Sequence, residues 1–382
     1  MRLPVFLFAA AINALVIDHT MAEEAFVPEK LTVEERIKPG PNVFAVTQGL
    51  YSASTVNVYG AKDLALKGNV SIGLVSQFTL SADGRTAYTT STYAKRLLRG
   101  PIEAVLEEYD VETLTLKREI VIPSKMAMLR SHRNMLQLSA NGKYIFVQNA
   151  TPATSVTVVD LEAGKVLAEV PTPGCWSIYP STAGAKFSSL CGDGTIISLE
   201  VSADGKVSEP ARSAKIFDAD ADPLFTAAER VGDDLIFSSY NGNLYRISDK
   251  NAAPKLVEKF SYTEGTEGRW APGGFSIMAY SEANDVLFVT MHPDAKDGSH
   301  KDPATEIWAI DLGARKVLSR SPVEGIKFIA VTSGKTPDLY GVNDSDGILT
   351  RFEVNPAGEF TVKPAQTVNG LMFVSLVSTE RE

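Results

Sequence analysis

Few side chains in this sequence could do chemistry, and they are scattered. Beyond residue 22 there are three histidines, His132, His292 and His300. Two of them flank Asp294, in Met291-His292-Pro293-Asp294 and Ser299-His300-Lys301-Asp302. Two imidazoles and a carboxylate could hold a divalent metal. Their spacing is not the i, i+4 repeat that puts two ligands on one helix face, and histidines that cap loops by hydrogen bonds are commoner. Asp218, Asp220 and Asp222 alternate like the first half of a calcium loop. The rest of that motif is missing, so a solvated acidic loop is the simpler reading. No Gly-x-Ser-x-Gly nucleophile elbow and no phosphate-cradling glycine loop occurs. Gly273-Gly274 after Pro272 reads as a turn.

The two cysteines, Cys175 and Cys191, need a compartment before they can be read. Arg2 precedes an apolar run over residues 3–17, and Thr20-Met21-Ala22 offers small residues where a signal peptidase cuts. Residues 1–22 therefore read as a secretory signal cleaved near Ala22. A membrane anchor is the alternative, but the run is shorter than the roughly 20 residues needed to span a bilayer. In an oxidising compartment, an even cysteine pair reads as one disulfide. Closing a loop of about 15 residues would contribute roughly 3 kcal/mol. Two buried free thiols are the alternative.

Bulk properties narrow the function classes. The 382 residues are 44% apolar and 22% charged, as in an ordinary globular protein. The net charge is -9 and no Lys/Arg-rich block occurs, so the sequence offers no patch for neutralising nucleic-acid phosphates.

These residues need a scaffold, and the pattern predicts an all-β one. Residues 23–45 are rich in Glu, Pro and Lys and read as an extended arm. From there to residue 382, short runs of Val, Ile, Phe, Tyr and Thr alternate with Gly, Asp and Asn turns. Strands are expected at 56–59, 87–91, 144–148, 156–160, 196–201, 235–239, 244–247, 286–291, 306–311 and 349–354. Residues 223–230 could form a short turn of helix. Two elements repeat. Ser81-Ala82-Asp83-Gly84-Arg85 recurs as Ser139-Ala140-Asn141-Gly142-Lys143. Asp110-Val111-Glu112-Thr113-Leu114 recurs near Asp160 and Asp311. Adjacent copies lie roughly 50 to 60 residues apart, enough for about four strands, or one propeller blade. Residues 46–382 then accommodate about seven blades. A β-sandwich pair or a β-solenoid is the alternative.

Specific segments carry a family resemblance. In order, they are Ser81 to Gly84, Thr89-Thr90-Ser91-Thr92-Tyr93, Arg96 and Arg99-Gly100, then Gln148-Asn149-Ala150 with Pro152-Ala153-Thr154-Ser155. Gly174-Cys175-Trp176-Ser177, Cys191-Gly192-Asp193-Gly194, Trp270-Ala271-Pro272-Gly273-Gly274, Met291-His292-Pro293 and Glu306-Ile307-Trp308 follow. The chain resembles the heavy subunit of the quinoprotein amine dehydrogenases, the methylamine and aromatic amine dehydrogenases. Cys-Trp-Ser and Met-His-Pro look closer to the aromatic branch.

The resemblance implies a seven-bladed β-propeller, an intrachain Cys175–Cys191 disulfide, and a periplasmic α2β2 heterotetramer with a light subunit. The light subunit carries tryptophan tryptophylquinone. Primary amines become aldehyde and ammonia, and electrons pass to a blue copper protein, amicyanin- or azurin-like. This chain would hold no cofactor and no catalytic residue. Its tryptophans, Trp176, Trp270 and Trp308, are far apart, and it lacks the light subunit's cysteine-dense framework. Relatives carry a phenylalanine lining the substrate channel ten residues before the first Asp-Gly glycine. Leu74 stands there, which implies a channel of altered width without a ring to contact the amine. The competing readings are a stand-alone exported propeller that binds or scaffolds, and a propeller lactonase.

Overall fold

A computed structural model describes residues 34–49, 52–96 and 99–380. The expected leader, 1–22, and the arm up to residue 33 lie outside the described residues. Residues 36–382 form one unit built of seven antiparallel sheets. Blade I comprises strands within 42–72 together with Val374–Thr379. Blades II to VII lie within 74–122, 136–171, 175–212, 224–261, 271–326 and 328–368. The expected seven-bladed β-propeller is the fold observed.

Ring closure joins the two ends of the chain. Val374–Thr379 pairs with Asn42–Thr47, so the last strand completes the first blade. Beyond the pairing, the Asn42 N–H donates to Glu380 Oε2 at 3.2 Å. Detaching the C-terminal strand from the first blade must break this ladder.

Position in the blade sets the composition of each strand. Middle strands are covered on both faces by neighbouring blades. Val286–His292, VLFVTMH, is buried at every residue. Outer strands meet solvent: Thr361–Val368, TVKPAQTV, is exposed at most positions. Apolar side chains gather in seven clusters, one in each seam between adjacent blades. Phe146 of blade III against Phe187 of blade IV, with ring centroids 5.1 Å apart, is one such seam. The helical turn expected at 223–230 is instead the innermost strand of blade V, Leu224–Val231. Its alanines suit close approach near the axis, where Ala227 and Ala228 are buried, and tertiary packing overrides their helical preference.

Antiparallel order gives the ring two unlike faces. Connections from first to second and third to fourth strands lie on one face, the turn face. Connections from second to third strands, and from each blade to the next, lie on the other, the loop face. The repeated motifs build the turn face. In Ser81–Arg85, the Ser81 hydroxyl donates to Asp83 Oδ1 at 2.6 Å, the Arg85 N–H donates to that oxygen at 3.1 Å, and the Thr86 N–H donates to Ser81 Oγ at 3.0 Å. Ser139, Asn141, Lys143 and Tyr144 repeat the pattern at 2.8, 3.1 and 3.0 Å. Gly84 and Gly142 have φ of 69° and 66°, which explains the glycine in both copies. At Asp160 and Asp311 the carboxylate accepts the N–H three residues on, at 2.8 and 2.7 Å.

Candidate functional site

Every candidate residue of the sequence reading lies on the loop face. Cys175 opens the first strand of blade IV, Cys191 ends the second, and the two pair directly in register. They form a disulfide. The histidine set does not converge. His292 Nδ1 lies 2.8 Å from Pro293 O, whereas His300 stacks on Tyr240 with centroids 4.3 Å apart. Burial lowers the His300 pKa, and neighbouring Lys301 adds to the effect. Asp294 is exposed, at φ 58°. Asp218 and Asp222 serve loop structure: Asp218 Oδ1 accepts the Asp220 and Ala221 N–H groups of its own loop, and Asp222 accepts from Asn241 and Asn243 of the neighbouring loop of blade V. Among the described residues, no group of three or more His, Cys, Asp or Glu is gathered to hold a metal ion.

Leu74 begins the innermost strand of blade II, Leu74–Leu80, and is half-buried at its loop-face end. It pairs with Thr92, and the register slips before Gln77 pairs with Thr90. Val75, in the bulge, has φ 51°. A β-branched residue rarely adopts that conformation, so the surroundings hold it there.

The segment joining blades II and III was not singled out in the sequence, yet it organises this face. Residues 130–134 cross the axial end of the ring and bond to every other blade. Arg130 donates to Asp344 of blade VII and to Val374 O of blade I, both at 2.7 Å. Its guanidinium also lies 4.6 Å over the Phe275 ring. The Ser131 hydroxyl donates to Ser76 O of blade II at 2.6 Å. Arg133 pairs with Glu229 of blade V and donates to Met278 O and Ile329 O, of blades VI and VII, both at 3.0 Å. Ile178 N–H of blade IV donates to Asn134 O at 2.9 Å. Burial would raise the Asp344 carboxyl, but bonds and charge from Arg130 and Lys327 outweigh it and leave its pKa below the ordinary value. His132 is partly buried. Its Nδ1 accepts the Asn134 N–H at 3.3 Å, and burial, then Arg133, lowers its pKa to about 4.

With its polar groups turned into the ring, this segment presents Met128 and Leu129 to solvent, 44% and 50% exposed. Gln48 links them to a second apolar pair. Its N–H donates to Phe373 O at 3.0 Å and its Nε2 donates to Leu129 O at 3.2 Å. Met372 and Phe373 are 70% and 49% exposed, and Phe373 has φ 54°. A bulky aromatic held out to water on a left-handed backbone is unusual. Tyr93 and Ile102 add exposed apolar surface on the same face. Among the described residues, the remaining large exposed apolar side chains, Leu66, Leu116, Val121, Val207, Leu256 and Val257, lie toward the outer edges of blades. The signal for the axial segment was present in the sequence: Leu129-Arg130-Ser131-His132-Arg133-Asn134 packs charge and polarity between two strand-rich units.

The pattern of relatives now bears on this geometry. The family profile of the methylamine dehydrogenase heavy chain matches residues 40–374, almost the whole ring. The chain belongs to the methylamine dehydrogenase heavy chain family. A methylamine dehydrogenase heavy chain of Methylobacillus flagellatus is 27% identical over 318 residues, covering 82% of this chain and 77% of its own. One of Methylorubrum extorquens is 27% identical over 340 residues, covering 87% and 78%. Among solved structures, a putative 6-phosphogluconolactonase of Bacteroides fragilis matches with a TM-score of 0.62. It is 12% identical and covers 92% of this chain and 99% of its own, a likeness of fold alone. Heavy-chain membership makes this an amine dehydrogenase subunit, and does not favour the stand-alone scaffold or the lactonase.

Proposed function

We propose that this chain is the cofactor-free large subunit of a periplasmic amine dehydrogenase that converts primary amines to aldehyde and ammonia. The observation that carries the reading is the heavy-chain family match across residues 40–374. On this reading the catalytic groups belong to a light subunit bearing tryptophan tryptophylquinone, in an α2β2 assembly. That group, when present, accepts the electrons of amine oxidation and passes them to a blue copper protein of the amicyanin or azurin kind. The leader is removed near Ala22 on export.

Two tasks then fall to this chain's own residues. The first is docking. Met128, Leu129, Met372 and Phe373 form an apolar knuckle at the axial end of the loop face, and the light subunit covers it. Bonds to the other blades already fix the knuckle, so little ordering entropy is lost on association. The second is shaping the amine's path. Leu74 stands at the loop-face end of an innermost strand, where relatives carry a phenylalanine, and leaves a wider, ring-free passage.

Purification of the native protein from periplasm, with intact masses and a visible spectrum, tests the reading. A co-purifying small chain whose quinone absorbance bleaches on adding a primary amine is the expected result. A colourless chain alone, from cells expressing any partner genes, would overturn it.

A further inference from the structure

We propose that Glu107 is a positioning residue for the Gly73–Leu74 step, and through it sets how the enzyme discriminates among amines. The proposal rests on the reading of Leu74 as a channel residue. Glu107 lies on the third strand of blade II, Arg99–Asp110, and is 1% exposed. A carboxylate in such a place is costly unless hydrogen bonds replace its water. Hydroxyls do so here. Thr89 Oγ1 donates to Oε2 at 2.6 Å, Ser91 Oγ donates to the same oxygen, and the Tyr93 hydroxyl donates to Oε1. Burial, and then the bond to Glu107, raise the Tyr93 pKa, so this phenol stays a donor.

Ser91 turns the buried charge into a constraint on the chain beside it. A serine hydroxyl has one proton. With that proton given to Glu107, Ser91 Oγ is left as an acceptor, and it accepts the Gly73 N–H at 3.0 Å. The Gly73 carbonyl is held as well, accepting from the Ser76 hydroxyl at 2.8 Å and the Ser54 N–H at 3.2 Å. A Cβ at position 73 would come within 2.8 Å of Ser91 Cβ and 2.9 Å of Thr92 N and O. Glycine is thus what lets the two strands meet this closely. Leu74 follows at once, and the left-handed Val75 comes next. The Glu107–Ser91–Gly73 relay fixes one side of this strained bulge, and the Ser76 and Ser131 bonds fix the other. Thr89 shares the carboxylate but does not touch Gly73 in this way, so it serves as an internal control.

The test uses the assembled enzyme with its light subunit and compares kcat/KM for methylamine and 2-phenylethylamine. Ser91→Ala, with Glu107→Gln as a second variant, is expected to change the ratio of the two values about fivefold or more, mainly through KM. Thr89→Val should lower Tm yet leave that ratio within about twofold of the parent. Leu74→Phe is run beside them. If Leu74→Phe moves the ratio and Ser91→Ala does not, the relay is overturned and the channel reading stands. Equal shifts in Thr89→Val and Ser91→Ala would also overturn the relay, since lost stability would then explain both. If Leu74→Phe leaves the ratio unchanged, the channel reading falls and takes the proposal with it.

Discussion

The two faces of this ring are made from the same blades and obey different rules. On the turn face, short motifs satisfy their own backbone groups, and two copies of one motif close with nearly the same set of hydrogen bonds. The loop face is irregular. It carries the disulfide, the half-buried His132, the bulge at Leu74, the axial segment and an exposed phenylalanine at positive φ. The turn face shows how the fold is repeated. The loop face shows where the repeat is abandoned, and residues that break a local rule are there held by many partners.

Changes that sharpen this contrast differ in size. The largest effect is expected at the knuckle. Leu129→Asp with Phe373→Asp should abolish co-purification of the light subunit while the free ring keeps its Tm within a few degrees, measured by pull-down and thermal unfolding. Arg133→Ala removes an ion pair and two carbonyl contacts that span three blades, and should cost about 3 to 5 kcal/mol in denaturant unfolding. Replacing Cys175 and Cys191 together by alanine should cost about 2 to 4 kcal/mol by the same assay.

His132 makes the contrast depend on pH. Unfolded, this imidazole takes up its proton near the ordinary histidine value of 6.5, and folded only near about 4. The unfolded state therefore binds more protons between those values, and stability is lost as pH falls from about 6.5 to 4. The full loss is about 3 kcal/mol. His132→Gln should flatten that part of the profile, seen as a smaller fall in Tm between pH 7 and pH 4.5. The smallest effect belongs to the turn face. Gly142→Ala meets no atom within 4 Å, so only its positive φ resists the change. Its cost should be about 1 kcal/mol, with no effect on the complex.

Legibility followed the same division. All ten strand runs read from the sequence are middle strands of blades, covered on both sides and rich in β-branched, aromatic and other apolar residues, as 286–291 is. Inner strands were harder. Leu136–Leu138 is short, Leu74–Leu80 is bulged, and Leu224–Val231 carries alanines that suggest helix. Outer strands such as Thr361–Val368 face water and lose the pattern. Repeats were legible because an Asp-Gly or Asn-Gly turn is a local event. The cysteine pair was legible from composition and compartment. The axial segment stood out only as a polar run between two strand-rich units, and its role was not legible, because its bonds reach partners as far as 244 residues away in the chain. Glu107 was hidden for a similar reason: alternation along its strand cannot tell a solvated glutamate from one ringed by hydroxyls.

Hydrogen exchange of the chain, alone and with its light subunit bound, tests the central claim most directly. Residues 126–134 and 369–374 should gain protection in the complex, with the turns at 81–85 and 139–143 unchanged. Protection confined to those turns, with the axial segment exchanging as it does in the free chain, would contradict it.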